Sequence, residues 1–304
     1  MSVQMILKPT PPFRLDLTVW TLRRRPENAI DCWDGKTYSR VLQVHGIYVP
    51  VHLTQGGDAA SPQLRVVAEI PRSNPELKRS IRSMLTAMLG LNVDLQNFYR
   101  MARRDAKLHS LVKPFVGMKP PRFPTLFEAL ASAVACQQLS LAVGIQLLNR
   151  LAQQVDSEAA HGSAPFAFPT PTSVGSMSPD KLRACGWSAA KARTIISLAQ
   201  AINNRQLQGV ALQKLSDEAL SDRLQSHRGI GRWTAEYVML RGLGRTHLFP
   251  TGDVGARHNL ESWLQLPRPL DDTATRTLMH RWDGFGGLVY FHLLLRNLQL
   301  AGYI

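Results

Sequence analysis

The residues best placed to do chemistry lie in one segment, HRGIGRWTAEYVMLRGLGRTHLFPTGD, residues 227–253. Gly229-Ile230-Gly231 reads as a tight turn between two helices, the first ending near Ser226 and the second starting at once. Two glycines around one apolar residue give the turn backbone freedom, and Ile230 can plug the helix pair. The second helix then offers the unpaired N–H groups of its first turn, an arrangement that receives a phosphate. Gly242, Gly244, Pro250 and Gly252 follow in an irregular loop that leads to Asp253, just before the helical pattern VGARHNLESWL. Asp253 reads as an N-cap, and the positive end of a helix favours a carboxylate there. A fixed carboxylate beside a phosphate-gripping turn suits cleavage of the bond between a sugar and a nucleobase. As the base departs the sugar gains oxocarbenium character, which Asp253 would stabilise while helping to position a water.

Trp233 and Tyr237 are four residues apart and share one face of the second helix. His247 and His258 flank Asp253, but their spacing matches no metal-ligand pattern. Cys32, Cys136 and Cys185 are too few and too far apart for a disulfide framework, a zinc site or a four-cysteine iron–sulfur cluster. The expected cofactor and metal content is therefore none.

The elements that must position these residues fall into two parts. Residues 1–118 read as a basic α+β domain. Its strand-like runs include FRLDLTVWTL, YSRVLQVHGIYVPVHLTQ and LRVVAEI, and two helices follow, over NPELKRSIRSMLTAMLG and VDLQNFYRMARRDAKLHSLV. In the second of these, Arg100, Arg103 and Lys107 would share a basic face. The proline-rich MKPPRFPT marks the boundary. Residues 119–304 read as all-helical. Thr125 and Glu128 form a capping box that opens a long segment to about Val155. A loop covers 156–177, Ser178-Pro179 and Ser188 start further helices, and a helix-hairpin-helix spans about 216–242. Three more helical patterns follow Asp253. The fold class is α+β, an antiparallel sheet with helices followed by an all-α region.

The chain carries 36 basic and 22 acidic residues, for a net charge of +14. Residues 1–120 hold 18 of the basic and 9 of the acidic residues. Such an excess favours a polyanionic partner, nucleic acid first. No apolar run approaches the ~18 residues of a membrane span, and the start lacks the basic-then-apolar pattern of a secretion signal. An intracellular, cytoplasmic location is expected.

Residues 227–253 resemble the helix-hairpin-helix plus Gly/Pro…Asp signature of base-excision-repair DNA glycosylases. The whole chain resembles the alkyladenine branch, the DNA-3-methyladenine glycosylase II family, through LRRRPENAIDCWDGKTYSRVL, ACQQLSL, GIGRWTAEYVMLRG and FPTGD. The resemblance implies a TBP-like N-terminal sheet and places Asp253 on the catalytic aspartate. It places Gly229, Gly231 and Thr234 on hairpin positions whose N–H groups contact phosphate. Trp233 and Tyr237 fall on aromatic positions lining the pocket for a flipped-out base. In relatives that also nick DNA, a lysine at the Trp233 position forms a Schiff base with the sugar; a tryptophan cannot, which implies a monofunctional enzyme. A wedge that fills the gap left by the base is implied in the turn Gln137-Gln138-Leu139-Ser140, with Gln138 and Leu139 as joint candidates. Phe285, in HRWDGFGGLVYFHLL, falls on another pocket aromatic, a tryptophan in relatives, and Gly286 replaces a neighbouring arginine.

The implied activity is hydrolytic removal of alkylated purines, of the 3-methyladenine and 7-methylguanine type, from duplex DNA, leaving an abasic site. The implied partner is double-stranded DNA bearing alkylated bases, engaged by a monomer without a membrane or protein partner. Two alternatives stand beside it: a glycosylase for deaminated or oxidised bases, and a non-catalytic helix-hairpin-helix DNA-binding protein. Asp253 argues against the second, because a simple binding module does not need it.

Overall fold

A computed structural model describes residues 2–71, 74–159 and 164–304. Five antiparallel strands form one sheet in the order β1-β5-β4-β3-β2. They are β1 (Ser2–Leu7), β2 (Cys32–Trp33), β3 (Thr37–Val44), β4 (Ile47–Gly56) and β5 (Gln63–Glu69). β3 and β4 are joined at His45-Gly46, both with positive φ (51° and 77°). That pair makes the mirror-image type of two-residue turn, whose twist matches the flanking strands.

FRLDLTVWTL, read as a strand, is instead helix α1 (Leu15–Arg23). Its alternation carries no information, because Leu15, Leu17, Thr18, Val19, Trp20, Thr21 and Leu22 are all buried, with no solvent face to reveal a period. α2 (Pro75–Met88) is capped by Asn74 and buries Leu77, Ile81, Leu85 and Met88. The next expected helix is two, α3 (Gln96–Arg104) and α4 (Ala106–Val112). Asp105 adopts an extended backbone between them and accepts from the N–H groups of Lys107 and Leu108, so it caps α4. Arg100 and Arg103 therefore do not share a helix with Lys107.

α5 (Leu126–Cys136) opens with Thr125 accepting from the Glu128 N–H at 3.1 Å. The reciprocal half of the capping box is not made. The Glu128 carboxylate instead pairs with Arg40 of the sheet at 2.5 Å, and Arg40 also pairs with Asp31 at 2.6 Å; all three are at least 97% buried. The expected single helix to Val155 breaks after Cys136 and resumes as α6 (Leu141–Ala159). Of the expected 156–177 loop, 156–159 continue α6, and 160–163 lie outside the described residues. Pro171–Gly175 form the short helix α7.

α8 (Pro179–Ala184) and α9 (Ala189–Asn203) start at Ser178 and Ser188, whose side chains cap them. α10 (Gly209–Leu212), α11 (Asp217–Gln225) and α12 (Arg232–Arg241) lead through the hairpin. α13 (Val254–Leu264), α14 (Asp272–Met279) and α15 (Gly286–Leu300) complete the chain. Among the described residues no helix is long and apolar enough to cross a membrane. One buried cluster runs from Leu7, Leu42 and Leu53 of the sheet part through Phe127 and Leu130 to Tyr237. α15 returns to α1, where Leu295 packs near Leu17 and Tyr303 stacks on Trp20 at 5.8 Å. The compositional boundary at 118/119 is thus crossed by a continuous core, which brings α1 up to the helical half.

Candidate active site

The hairpin is built around Gly229, whose φ is +87°. A Cβ added there would lie 2.3 Å from Thr194 Oγ1 on α9, so both conformation and space require glycine. Gly231 differs. Its backbone is extended (φ −95°, ψ 178°) and nothing lies within 4 Å of an added Cβ. The second glycine is therefore not a steric need of the fold; it leaves the approach to the start of α12 open. α12 begins without a side-chain cap, so the N–H groups of its first turn are not taken by a capping side chain. Thr234 and Ile230 are buried.

Gln137 supports this turn from α5. Its Nε2 donates to the Gly229 carbonyl and to Thr234 Oγ1, each at 2.9 Å. The Lys191 ammonium donates to the carbonyls of Ala135 and Gln137 at 2.9 and 2.7 Å, which places a positive charge at the C-terminal end of α5. With Gln137 pinned, the chain turns sharply: Gln138 takes φ +54°, and Gln138 and Leu139 project outward, exposed.

Both residues stand on the wall of a cavity of about 630 Å³. Trp233, Tyr237 and Asp253 line the same cavity. The rings of Trp233 and Tyr237 lie 5.7 Å apart at 43°. Asp253 caps α13, with Oδ1 accepting from the Ala256 N–H at 2.9 Å. That bond uses one carboxylate oxygen and fixes the group's direction at the cavity wall. The hairpin residues Gly229, Gly231 and Thr234 do not line the cavity; they stand beside it, at the foot of α12.

Phe285 is not brought to this site. It sits before α15 and packs against Phe98 at 5.7 Å, in a separate cluster. Tyr290, one and a half turns further along α15, lines the cavity instead. Burial raises the Tyr237 and Tyr290 phenols above their ordinary range, and the Asp253 charge nearby pushes in the same direction.

The sequence reading also misses Arg24. It ends α1 in a left-handed conformation (φ 63°) and is 3% exposed. It reaches the cavity and donates from Nη1 to the Tyr237 hydroxyl at 2.7 Å, while its buried Nε has no partner. No local pattern links Arg24 to Tyr237, 213 positions on, and with α1 read as a strand there is no helix end at which to place it. Tyr290 was within reach of sequence: it lies in the aromatic run that contains Phe285, on the helical pattern that follows.

The geometry is thus a helix-hairpin-helix beside a loop that ends in a helix-capping aspartate. A family model for "HhH-GPD superfamily base excision DNA repair protein" matches residues 131–285. The chain belongs to this superfamily. The matched stretch contains the Gln137–Ser140 turn, the hairpin and Asp253, whereas Arg24 lies outside it. A DNA-3-methyladenine glycosylase of Bacillus subtilis is 32% identical over 172 residues, which cover 56% of this chain and 57% of that protein. The chain thus matches little more than half the length of that relative. The solved structure of a 3-methyladenine DNA-glycosylase from Archaeoglobus fulgidus superposes with a TM-score of 0.83 at 22% identity, covering 99% of this chain and 100% of that one. That likeness concerns the fold, and its extent includes the N-terminal sheet. The 3-methyladenine DNA glycosylase of Schizosaccharomyces pombe, solved with abasic DNA, is 28% identical with a TM-score of 0.58, covering 68% of this chain and 98% of that one.

Proposed function

We propose that this protein is a monofunctional DNA glycosylase that flips alkylated purines out of duplex DNA and hydrolyses their glycosidic bond. The observation that carries the reading is the shared cavity wall of Asp253, Trp233 and Tyr237 next to the uncapped start of α12. Gly231 and the first N–H groups of α12 bind a backbone phosphate. Gln138 and Leu139, on the rim, occupy the gap in the stack; Leu139 is 44% exposed, and an exposed apolar side chain suits a wedge between bases. The extruded base enters the cavity and lies against the wall that Trp233 and Tyr237 form. Methylation at a purine N3 or N7 places a positive charge on the base, which ring faces attract by about 0.5–2 kcal/mol per contact.

The C1′–N bond then breaks with its electron pair going to the base. Asp253 stabilises the positive sugar, water adds to C1′, and the proton leaves to solvent. A base that departs neutral needs no general acid, so one carboxylate suffices. Trp233 offers no amine to the sugar, so the product is an intact abasic strand.

Arg24 favours a second reading alongside the first, excision of a neutral, deaminated or oxidised base. Such a base leaves carrying negative charge, and a guanidinium on the pocket wall stabilises it while giving a cationic base no help. The test is release of free bases from methylated duplex DNA by the pure protein. Free 3-methyladenine without strand nicking, abolished in Asp253→Asn, supports the proposal. Nicking trapped covalently by borohydride contradicts the monofunctional assignment.

A further inference from the structure

The loop that delivers Asp253 is irregular, yet it is held by a closed ring of charges. Arg232 Nε bonds Glu236 at 2.9 Å, Arg232 Nη1 bonds Asp272 at 3.1 Å, Arg276 Nε bonds Asp272 at 3.0 Å, and Arg276 Nη2 reaches Glu236 at 3.5 Å. Two members come from α12 and two from α14, and the loop lies between these helices. Glu236 turns its second oxygen inward, where it accepts from the Gly252 N–H at 3.1 Å. Asp272 Oδ1 accepts from the Thr251 hydroxyl at 2.5 Å, and Arg276 donates to the same hydroxyl at 3.1 Å. The ring therefore grips the two residues that immediately precede Asp253. Glu236 is the anchor, with only 14% of its side chain exposed against 37–46% for the other three.

We propose that Glu236 is a positioning residue for Asp253, acting through Gly252 and tied by the ring to Arg232 at the start of the phosphate-facing helix. Whatever the ring adds to stability as a charge network, its inward bonds converge on Thr251 and Gly252, so it also fixes the backbone that leads into Asp253. Gly252 also lies against α12, since an added Cβ would sit 3.3 Å from Trp233 Cβ and 3.4 Å from both Trp233 Cα and Glu236 Oε2. Loss of the Gly252 bond lets the loop move away from α12. A displacement of about 1 Å at a reacting group costs on the order of 100-fold in rate. The inference rests on the proposed role of Asp253.

The experiment compares single-turnover release of 7-methylguanine from methylated duplex with affinity for abasic-site duplex, using the full chain. Glu236→Ala is expected to slow release by roughly 10- to 100-fold while abasic affinity stays within about 3-fold. Glu236→Gln keeps an oxygen for the Gly252 N–H and is expected to recover most of the rate. Asp272→Asn, at a more exposed site that leaves folding intact, is expected to lower the rate 3- to 10-fold at unchanged affinity. A Glu236→Ala protein with wild-type rate, or one losing rate and affinity in parallel, overturns the assignment, as does Glu236→Gln no better than alanine. Asp253→Asn in the same assay separates the two readings. If it is inactive while Glu236→Ala releases base at the wild-type rate, the ring proposal fails alone; if it is active, the function itself is misread.

Discussion

Replacing Gly229 with alanine tests the hairpin at the point where geometry demands most. Two costs add. The residue must hold φ +87°, which costs an L-residue with a Cβ about 1–2 kcal/mol. Its methyl group also meets Thr194 Oγ1 at 2.3 Å, Cγ2 at 2.8 Å and Cβ at 3.1 Å. Thr194 is β-branched and lies within α9, so its χ1 has few alternatives, and overpacking of this kind costs about 1–3 kcal/mol. A total near 3 kcal/mol lowers the melting temperature by about 5 °C for a chain of this size. Gly231→Ala is the internal control. It meets nothing within 4 Å and its extended backbone suits any residue, so its stability should stay within about 0.5 kcal/mol of wild type. Its methyl group nonetheless intrudes where a phosphate approaches the start of α12, and affinity for duplex DNA should fall roughly 3- to 10-fold. Thermal unfolding and fluorescence-anisotropy titration on both variants separate the effects. Equal melting temperatures for the two variants, or a Gly231→Ala protein with wild-type DNA affinity, would refute this division of labour.

Three further outcomes follow from the same geometry. Arg24→Met should lower release of hypoxanthine, a neutral deaminated purine, about 10-fold or more relative to 7-methylguanine; equal losses on both substrates in a competition assay would remove Arg24 from leaving-group stabilisation. Leu139→Ala should weaken binding to abasic-site duplex about 3- to 10-fold, more than Gln138→Ala, and unchanged affinity would take Leu139 out of the wedge. His292 is fully buried, and burial lowers its imidazolium to about 4 from an ordinary 6.5. The unfolded chain therefore binds an extra proton between these values, so stability falls as pH drops from 6.5 to 4, by about 3 kcal/mol in all. Denaturant melts of His292→Leu across that range should show a flatter pH dependence than wild type; identical slopes would contradict the assignment.

The hairpin, Asp253 as an N-cap and the helices that start at Ser178 and Ser188 were legible because each rests on local chemistry: a turn, a cap, a periodic face. What escaped was set by distant partners. α1 is buried on all sides, so its pattern has no period to read, and with the helix went Arg24. Glu128 looked like half of a capping box until Arg40, 88 positions earlier, took its carboxylate. Asp105 breaks a helical pattern because it caps α4 and, in three dimensions, also accepts from Arg281 and the Trp282 indole. Phe285 and Tyr290 lie on one aromatic segment, and only the rotation of α15 decides which one faces the cavity. The Arg232–Glu236–Asp272–Arg276 ring joins two helices that no local pattern connects.

The most direct test of the central claim is single-turnover base release from methylated duplex DNA by wild-type protein and Asp253→Asn, with abasic-duplex affinity measured in parallel. Removing the carboxylate that meets the developing sugar charge should lower the rate by at least about 100-fold, since one lost electrostatic contact at the reacting centre typically costs 10²–10³. Affinity should stay within a few-fold, because the hairpin and wedge are untouched and asparagine still caps α13. An Asp253→Asn protein that releases 3-methyladenine at the wild-type rate would contradict the claim.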